Sequence, residues 1–439
     1  MSNFFRDILK ISGSNTLVAI ISIGTGIIIT RMLGPEGRGV YAALMVVPAI
    51  VLRFAELGIR RSVIFHIGKE KFQEKEVVSS LFITFFGTIL LGIIISIFFY
   101  VYLDNPEFTI PLIILAISRI PLRLIRQYAG GYFMGKQMYN TTILLRWAFQ
   151  GIYLLNAILF LIVLKLGVLG ALLAIIVSNL IVSLYTIFLF LKNTPGSRNY
   201  NHVVLKSLLR FGLLYSASTF FMMLHIKIDV LIMGKLTTFN QIGFYSLATA
   251  IATNWQIPFS VGGIIISKSA NTEDVFQKNE NIGKLVRLSF LLGSISYIVL
   301  YIASPFVVKI LYGEAFLPSV PLIRFLLPGI LMLIVSQILA SRLAGEGKPY
   351  IFMYIAIPAL ILNIFLNYFW IPRYDAMGAV YATNISYSFM TVAGIIVYSR
   401  VVESRVWDLI RYRKSDFDFI PIIKKKIIEK LKRVKGGSK

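Results

Sequence analysis

Apolar runs of about 20 residues recur from one end of this chain to the other, and they limit its fold more than any other feature. A helix of roughly that length crosses the ~30 Å hydrocarbon core of a bilayer. The runs lack the alternation of apolar and polar residues that is typical of strands in a membrane β-barrel. Hydrophobic residues make up 57% of the chain and charged residues only 15%, a balance unusual for a protein that folds in water. The pattern therefore predicts an all-α polytopic membrane protein.

The apolar stretches between polar breaks predict twelve spans. They lie near 11–32, 39–58, 77–103, 109–133, 143–164, 168–191, 208–234, 242–266, 286–311, 320–341, 350–371 and 377–399. With the N-terminus inside, inner segments carry 32 of the 44 Lys and Arg residues and outer segments carry six. The positive-inside rule then predicts that both termini are cytoplasmic. The net charge of +24 is thus explained by the concentration of Lys and Arg in the inner segments, and we predict no nucleic-acid partner.

The two halves of the chain resemble each other at a nearly constant offset. Gly39 and Tyr41 align with Gly243 and Tyr245 at a shift of 204. Each repeat holds six helices, an even number, so both have the same orientation in the membrane. The sequence therefore predicts two parallel-repeat six-helix bundles around a central cavity. The predicted units are an N-terminal lobe (1–195), an inter-lobe linker (196–205), a C-terminal lobe (206–400) and a cytoplasmic tail (401–439).

The tail is basic and amphipathic. Between Glu403 and Lys439 it carries 12 Lys or Arg residues against five acids, interleaved with isoleucine pairs. Such a segment after the last span is typical of helices that lie on an anionic inner leaflet, and a solvated tail is the alternative. The short loops between spans leave no room for a catalytic or nucleotide-binding domain. Cysteine is absent, which excludes thiolate metal sites. We predict no metal and no cofactor other than a proton or sodium gradient.

Ionisable residues within spans are costly, so each is a candidate functional residue. Arg119, Arg123 and Arg126 are spaced i, i+4 and i+7, which places them on one face of the fourth span. Guanidinium groups pair bidentately with phosphate oxygens, so this face is a candidate phosphate site. The alternative is that Arg123 and Arg126 reach the inner headgroups. Arg146, at the start of the fifth span, either extends the cationic entrance or anchors its helix.

Two acids are candidates for ion coupling. Glu56 follows Arg53 by three residues in the second span. The two side chains either neutralise each other or separate during transport, Arg53 then taking phosphate and Glu56 a proton. Asp229 in the seventh span is the second candidate, for a proton or a sodium ion. An inert interhelical ion pair is the alternative, and pairing with Lys227 would require a distorted helix.

The segment TRMLGPEGRGVY, residues 30–41, resembles the first outer loop of polysaccharide-type flippases, the O-antigen flippase type. These form a family within the multidrug, oligosaccharidyl-lipid and polysaccharide exporter superfamily. The resemblance covers nearly the whole chain, and topology, repeat and length agree with it. It implies alternating access by two lobes in the cell membrane. It also implies a polyprenyl-pyrophosphate-linked oligosaccharide as substrate and polysaccharide-assembly enzymes as further partners.

Two other functions compete with this interpretation. A drug or organic-cation antiporter of the same superfamily would have a site lined by carboxylates and aromatic rings. Six Lys and Arg residues remain within spans once the inner and outer ones are set aside, against the two acids Glu56 and Asp229, which favours an anionic substrate. A membrane glycosyltransferase or polymerase would need paired carboxylates on an accessible loop. The outer acids form no such pair in the sequence, so we expect a transporter rather than an enzyme.

Overall fold

The computed structural model describes residues 2–196, 199–259 and 275–417, and these are almost entirely helical, with no strand among them. The first lobe contains α1 Ser2–Ala55, α2 Ile59–Gly68, α3 Glu74–Leu103, α4 Ile110–Gly135, α5 Tyr139–Ala157 and α6 Gly167–Asn193. A π-helical turn, Ile158–Val163, extends α5. The second lobe contains α7 His202–Leu236, α8 Phe239–Gln256, α9 Val275–Tyr312, α10 Ser319–Gly345 and α11 Pro349–Val401. Short 3₁₀ turns follow α8 at Ile257–Phe259 and α9 at Glu314–Phe316.

Two helices each contain two predicted spans joined by a kink. In α1 the kink is at Gly34, with φ 67° and ψ −179°, and in α11 it is at Asp375, with φ 49° and ψ −133°. Glycine adopts positive φ without steric cost, and the following Pro35 has no N–H to donate. The α7–α8 turn lies beside the α11 kink, because Thr237 donates a hydrogen bond to Asp375 at 2.6 Å. The start of α8 lies beside the α1 kink, because a Cβ atom on Gly243 would lie 1.9 Å from the carbonyl oxygen of Pro35. We call this end of the bundle the kink end, and the charge bias predicts that it is extracellular.

The twelve predicted spans fit the observed helices. Seven described stretches are long and apolar enough to cross a membrane, and two of them, Leu17–Gly68 and Tyr350–Val401, each hold two predicted spans. The remaining three spans correspond to the more polar helices α4, α7 and α8, and residues 260–266 of the eighth predicted span lie outside the described residues. Large apolar side chains such as Phe86, Phe98 and Phe306 are about two-thirds exposed, at 67%, 66% and 68%, as a lipid-facing surface requires. The chain is therefore a multi-pass membrane protein, and the cytoplasmic location of its termini stays a prediction.

The two lobes meet at the kink end through two glycines that the internal repeat relates. A Cβ atom on Gly39 would lie 1.8 Å from the carbonyl oxygen of Phe239. A Cβ atom on Gly243 would lie 1.9 Å from the carbonyl oxygen of Pro35. Pro35 and Gly39 are equivalent to Phe239 and Gly243 at the repeat shift of 204, so the two contacts are equivalent and the crossing has pseudo-two-fold symmetry. We call these four residues the glycine crossing. Only glycine allows α1 and α8 to approach this closely.

The beginning of the predicted tail packs against the first half of α9. After α11 the chain forms α12, Val406–Ile410, and a 3₁₀ turn, Lys414–Phe417. Arg287 on α9 donates two hydrogen bonds to the Asp416 carboxylate, at 2.6 and 2.7 Å, and both side chains are buried. Burial would raise the pKa of Asp416, but hydrogen bonds from Arg287 and the Arg413 backbone hold it below its usual range. The isoleucine pairs of the predicted amphipathic helix lie outside the described residues.

The change Arg287→Met is expected to release residues 402–417 from α9. It leaves the Asp416 carboxylate buried without its partner, which typically costs about 3–5 kcal/mol. Hydrogen–deuterium exchange of this segment should accelerate strongly, whereas the exposed Arg411→Met serves as a matched control and should have little effect. Unchanged exchange in Arg287→Met would contradict the assigned role of the pair.

The same contact predicts a pH dependence. The pKa of Asp416 is lower in the folded state than in the unfolded one, so its contribution is present at neutral pH. That contribution is lost as pH falls below the ordinary aspartate value of about 4. Protection of 402–417 from exchange should fall over the same range, and Asp416→Asn should remove this dependence.

Candidate functional site

A cavity of about 520 Å³ lies between the two lobes, next to the glycine crossing. The second half of α1, α4 and α6 line it from one lobe, and α7, α8, α10 and α11 line it from the other. Its ionisable and aromatic lining residues are Arg38, Tyr41, Arg119, Lys227, Asp229, Tyr245 and Tyr387. This size is typical of small-molecule sites, which range over roughly 300–1,000 Å³.

Positive charge dominates the cavity. Arg38, Arg119 and Lys227 line it, against the single carboxylate of Asp229. The Nε atom of Arg119 is buried and has no hydrogen-bond partner among the described residues. A buried donor without a partner carries a desolvation cost that an anionic ligand would offset. The arrangement therefore fits an anion with several acceptor oxygens.

Asp229 is held in a network of neutral donors rather than in an ion pair. Its carboxylate accepts hydrogen bonds from Tyr245 at 2.6 Å, Thr383 at 2.8 Å and Asn367 at 2.7 Å. No cation of the described residues lies within 4.0 Å of it. The pairing with Lys227 considered from the sequence is thus not formed, because residues two apart project from different faces of α7. The network crosses α7, α8 and α11 within the second lobe.

Three of the predicted residues lie together where α1 ends. Arg53 and Glu56 are 4.0 Å apart, and the Arg53 side chain is 51% exposed while that of Glu56 is 11% exposed. Glu56 is also within electrostatic range of Arg123. This group lies further from the kink end than Arg119 does, because α4 runs away from that end. A cationic surface thus continues along α4 from the cavity towards the predicted cytoplasmic side.

The other two predicted arginines are placed differently. Arg126 donates a hydrogen bond to Asn179 at 2.9 Å, and its guanidinium lies 4.0 Å from the ring centroid of Phe149. Both partners belong to the same lobe, so Arg126 packs between α4, α5 and α6. Arg146 is half-buried on α5, within electrostatic range of Arg60. Neither side chain lines the cavity.

Two cations of the cavity were not among the predicted ligands. The sequence places Arg38 in an outer turn, where it counts towards topology, and Lys227 was considered only as a partner of Asp229. The shift of 204 pairs Arg38 with the apolar Ile242, but most positions between the matched landmarks differ as well, so the repeat does not single Arg38 out.

Comparison with known proteins identifies relatives of the sequence. A family model described as "Polysaccharide biosynthesis protein" matches residues 4–267, more than half of the chain. A curated Shigella flexneri protein named "Putative O-antigen transporter" is 25% identical over 386 residues. That alignment covers 84% of this chain and 91% of the relative.

Solved transporter structures share the fold. An inward-facing multidrug resistance MATE family transporter of the MOP superfamily has a TM-score of 0.71 at 15% identity, with 90% of this chain and 98% of that chain covered. An outward-facing MATE family structure has a TM-score of 0.60 at 16% identity, covering 90% and 95%. A MOP superfamily transporter from Pyrococcus furiosus has a TM-score of 0.59 at 17% identity, covering 89% and 93%. The predicted all-α multi-pass fold is therefore confirmed, and the predicted lobe boundaries stay a prediction.

Proposed function

Because the chain belongs to the polysaccharide biosynthesis protein family, we propose that it transports a polyprenyl-pyrophosphate-linked oligosaccharide from the inner to the outer leaflet. The family and the fold support a multi-pass membrane transporter of the MOP superfamily that serves polysaccharide assembly. The proposal adds three properties to this: a lipid-linked substrate, alternating access, and coupling to a proton or sodium gradient. Asp229 and Glu56 are the proposed coupling residues. Polysaccharide-assembly enzymes and the anionic inner leaflet are proposed partners.

The excess of positive charge in the cavity carries this proposal. Arg119, Arg38 and Lys227 together offer many donors to a pyrophosphate, and arginine stays protonated in an apolar bundle better than other bases do. A volume of about 520 Å³ accommodates a pyrophosphate with a few sugars rather than a polymer. Arg53, Arg123, Arg126 and Arg146 remain proposed phosphate ligands on the approach from the cytoplasmic side.

An organic-cation antiporter is the competing function. Tyrosines and one carboxylate do line the cavity, as a cation site requires. The Asp229 carboxylate, however, already accepts hydrogen bonds from three side chains, and the cations around it would repel a positively charged drug. The cavity charge therefore favours the anionic substrate.

The double variant Arg119→Ala plus Arg123→Ala tests the proposal. Hydrogen bonds to charged groups contribute about 1.5–3 kcal/mol each, so losing one at both arginines costs about 3–6 kcal/mol, and we expect translocation to fall by at least ~100-fold. The assay follows an isotopically labelled polyprenyl-pyrophosphate oligosaccharide in proteoliposomes, under imposed proton and sodium gradients. Acceleration by one gradient would identify the coupling ion.

Arg324→Ala is the matched control. This arginine also lies within a span, but it packs over the Tyr301 ring at 4.4 Å and does not line the cavity. It should leave translocation close to the wild-type rate. Uptake of organic cations by a folded wild type that does not move the lipid-linked glycan would reject the proposal in favour of the antiporter.

A further inference from the structure

Arg38 connects the two lobes beside the glycine crossing. Its Nε donates a hydrogen bond to the Ser246 hydroxyl at 3.0 Å, and its Nη2 donates one to the Ser246 carbonyl oxygen at 3.2 Å. Its Nη1 donates to the Thr30 hydroxyl of its own helix. Because Ser246 belongs to α8, one side chain joins α1 of the first lobe to α8 of the second.

All acceptors described for this guanidinium are neutral. In the described part of the chain, no carboxylate lies within 4.0 Å of it. Tyr312, Tyr41 and Tyr153 lie within electrostatic range of it. A half-buried cation that is held only by hydroxyls and a carbonyl keeps most of its capacity to bind an anion. Arg38 also lines the cavity that Arg119 and Lys227 share.

The position of Arg38 links this capacity to closure of the kink end. Arg38 directly precedes Gly39 of the glycine crossing, and Ser246 follows Gly243 by three residues. When α1 and α8 separate, the bonds to Ser246 must break. The residue equivalent to Arg38 in the second repeat is the apolar Ile242, so the crossing itself does not require a cation at this position. The guanidinium adds a polar contact to a crossing that glycine packing already forms.

We propose that Arg38 binds a phosphate or pyrophosphate group in the cavity and, by exchanging Ser246 for this anion, promotes opening of the kink end. Charge-assisted hydrogen bonds are roughly twice as strong as neutral ones, so the exchange favours the anion. A ligand shifts an equilibrium only through its different affinities for the two states. Here the donors are used by Ser246 in the closed state and are available in the open state. The assignment of that anion to a lipid headgroup rests on the proposed function.

The chain has no cysteine, so a pair of introduced cysteines can report on the kink end without background. The hydroxyls of Tyr102 on α3 and Tyr368 on α11 are 2.5 Å apart across the two lobes. Tyr102→Cys plus Tyr368→Cys, labelled with pyrene maleimide in lipid nanodiscs, should give excimer emission while the kink end is closed. Farnesyl pyrophosphate, inorganic pyrophosphate and farnesol are the probes.

With Arg38 present, farnesyl pyrophosphate should lower the excimer emission and farnesol should not. Inorganic pyrophosphate distinguishes the sources: an equal response assigns the site to the bare anion, and a response only to the farnesyl compound assigns it to a lipid headgroup. Arg38→Gln keeps a donor for Ser246 but removes the charge. It should require a roughly 10- to 100-fold higher concentration for the same response. Ser246→Ala should respond at a lower concentration, because the competing contact is weaker.

Arg31→Gln is the matched control, since Arg31 is an exposed arginine close to the same kink. It should respond like the labelled double-cysteine protein that keeps Arg38. The proposal would be overturned if Arg38→Gln responded at the same concentration as that protein, or if that protein itself did not respond. Glycan-lipid translocation without an Arg38-dependent response would reject this inference alone. An Arg38-dependent response in a protein that moves no glycan lipid would reject the proposed function and leave the anion site.

Discussion

Alanine in place of Gly39 or Gly243 is expected to keep the kink end from closing and to reduce translocation by roughly 100-fold. A Cβ atom at these positions would lie 1.8 or 1.9 Å from a carbonyl oxygen of the opposite lobe. Backbone atoms cannot rotate away as side chains do, so the lobes would have to separate. Overpacking of this kind costs about 3 kcal/mol, which changes the ratio of closed to open states by roughly two orders of magnitude.

The pyrene pair at positions 102 and 368 should show this effect as lost excimer emission before any ligand is added. Gly24→Ala is the matched control, because Gly24 lies in the same helix as Gly39 and a Cβ atom added there would meet no atom of another helix within 4 Å. Alanine there should be neutral or slightly stabilising in the helix. Wild-type translocation by Gly39→Ala with retained excimer emission would show that this crossing does not take part in the transport cycle.

The architecture was largely predictable because bilayer physics constrains it so strongly. Apolar length determines each span, and an even-numbered repeat requires two parallel lobes. The short helix α2 was not predicted, since its ten residues contain Arg60 and Arg61 and lack the length of a span. The fusion of two spans across a kink in α1 and α11 was also not predicted. Backbone angles at Gly34 and Asp375 depend on tertiary contacts between distant helices, which a single sequence does not reveal.

The candidate site was predictable only in part. Arg119, Arg123 and Arg126, which the spacing predicts to share one face of a span, all lie on α4, and Arg119 and Asp229 line the cavity. Periodicity cannot say which partners a long side chain will find, and Arg126 finds Asn179 and the Phe149 ring instead. Arginine carries several donors on a flexible stem, so its contacts depend on tertiary packing.

The two cavity arginines and the buried acid lie in different lobes, so the proposed anion ligands are largely separate from the proposed coupling residue. Arg38 and Arg119 come from the first lobe, whereas Asp229 and its donors all come from the second. Under the proposed function, a substrate anion between the lobes contacts cations of both, while a coupling ion at Asp229 changes packing within one lobe. Coupling then requires that the Asp229 network has different arrangements when occupied and empty.

Asparagine in place of Asp229 is expected to abolish acceleration by an ion gradient while leaving gradient-independent exchange. The amide keeps the size of the carboxylate, but it can neither take up a proton nor neutralise a sodium ion. The Tyr245 and Thr383 hydroxyls can rotate to accept from the new amide, so the folded state should lose only about 1–3 kcal/mol.

The measurement compares glycan-lipid translocation with and without proton and sodium gradients, together with thermal stability of the same preparation. Asp104→Asn is the matched control, because this exposed acid ends α3 in the left-handed conformation that asparagine also tolerates. It should keep the full response to the gradient. A response that persists in Asp229→Asn would move the coupling role to Glu56, whose Gln variant should then lose it. A loss of all translocation at unchanged thermal stability would instead mean that the carboxylate is needed for the conformational change itself.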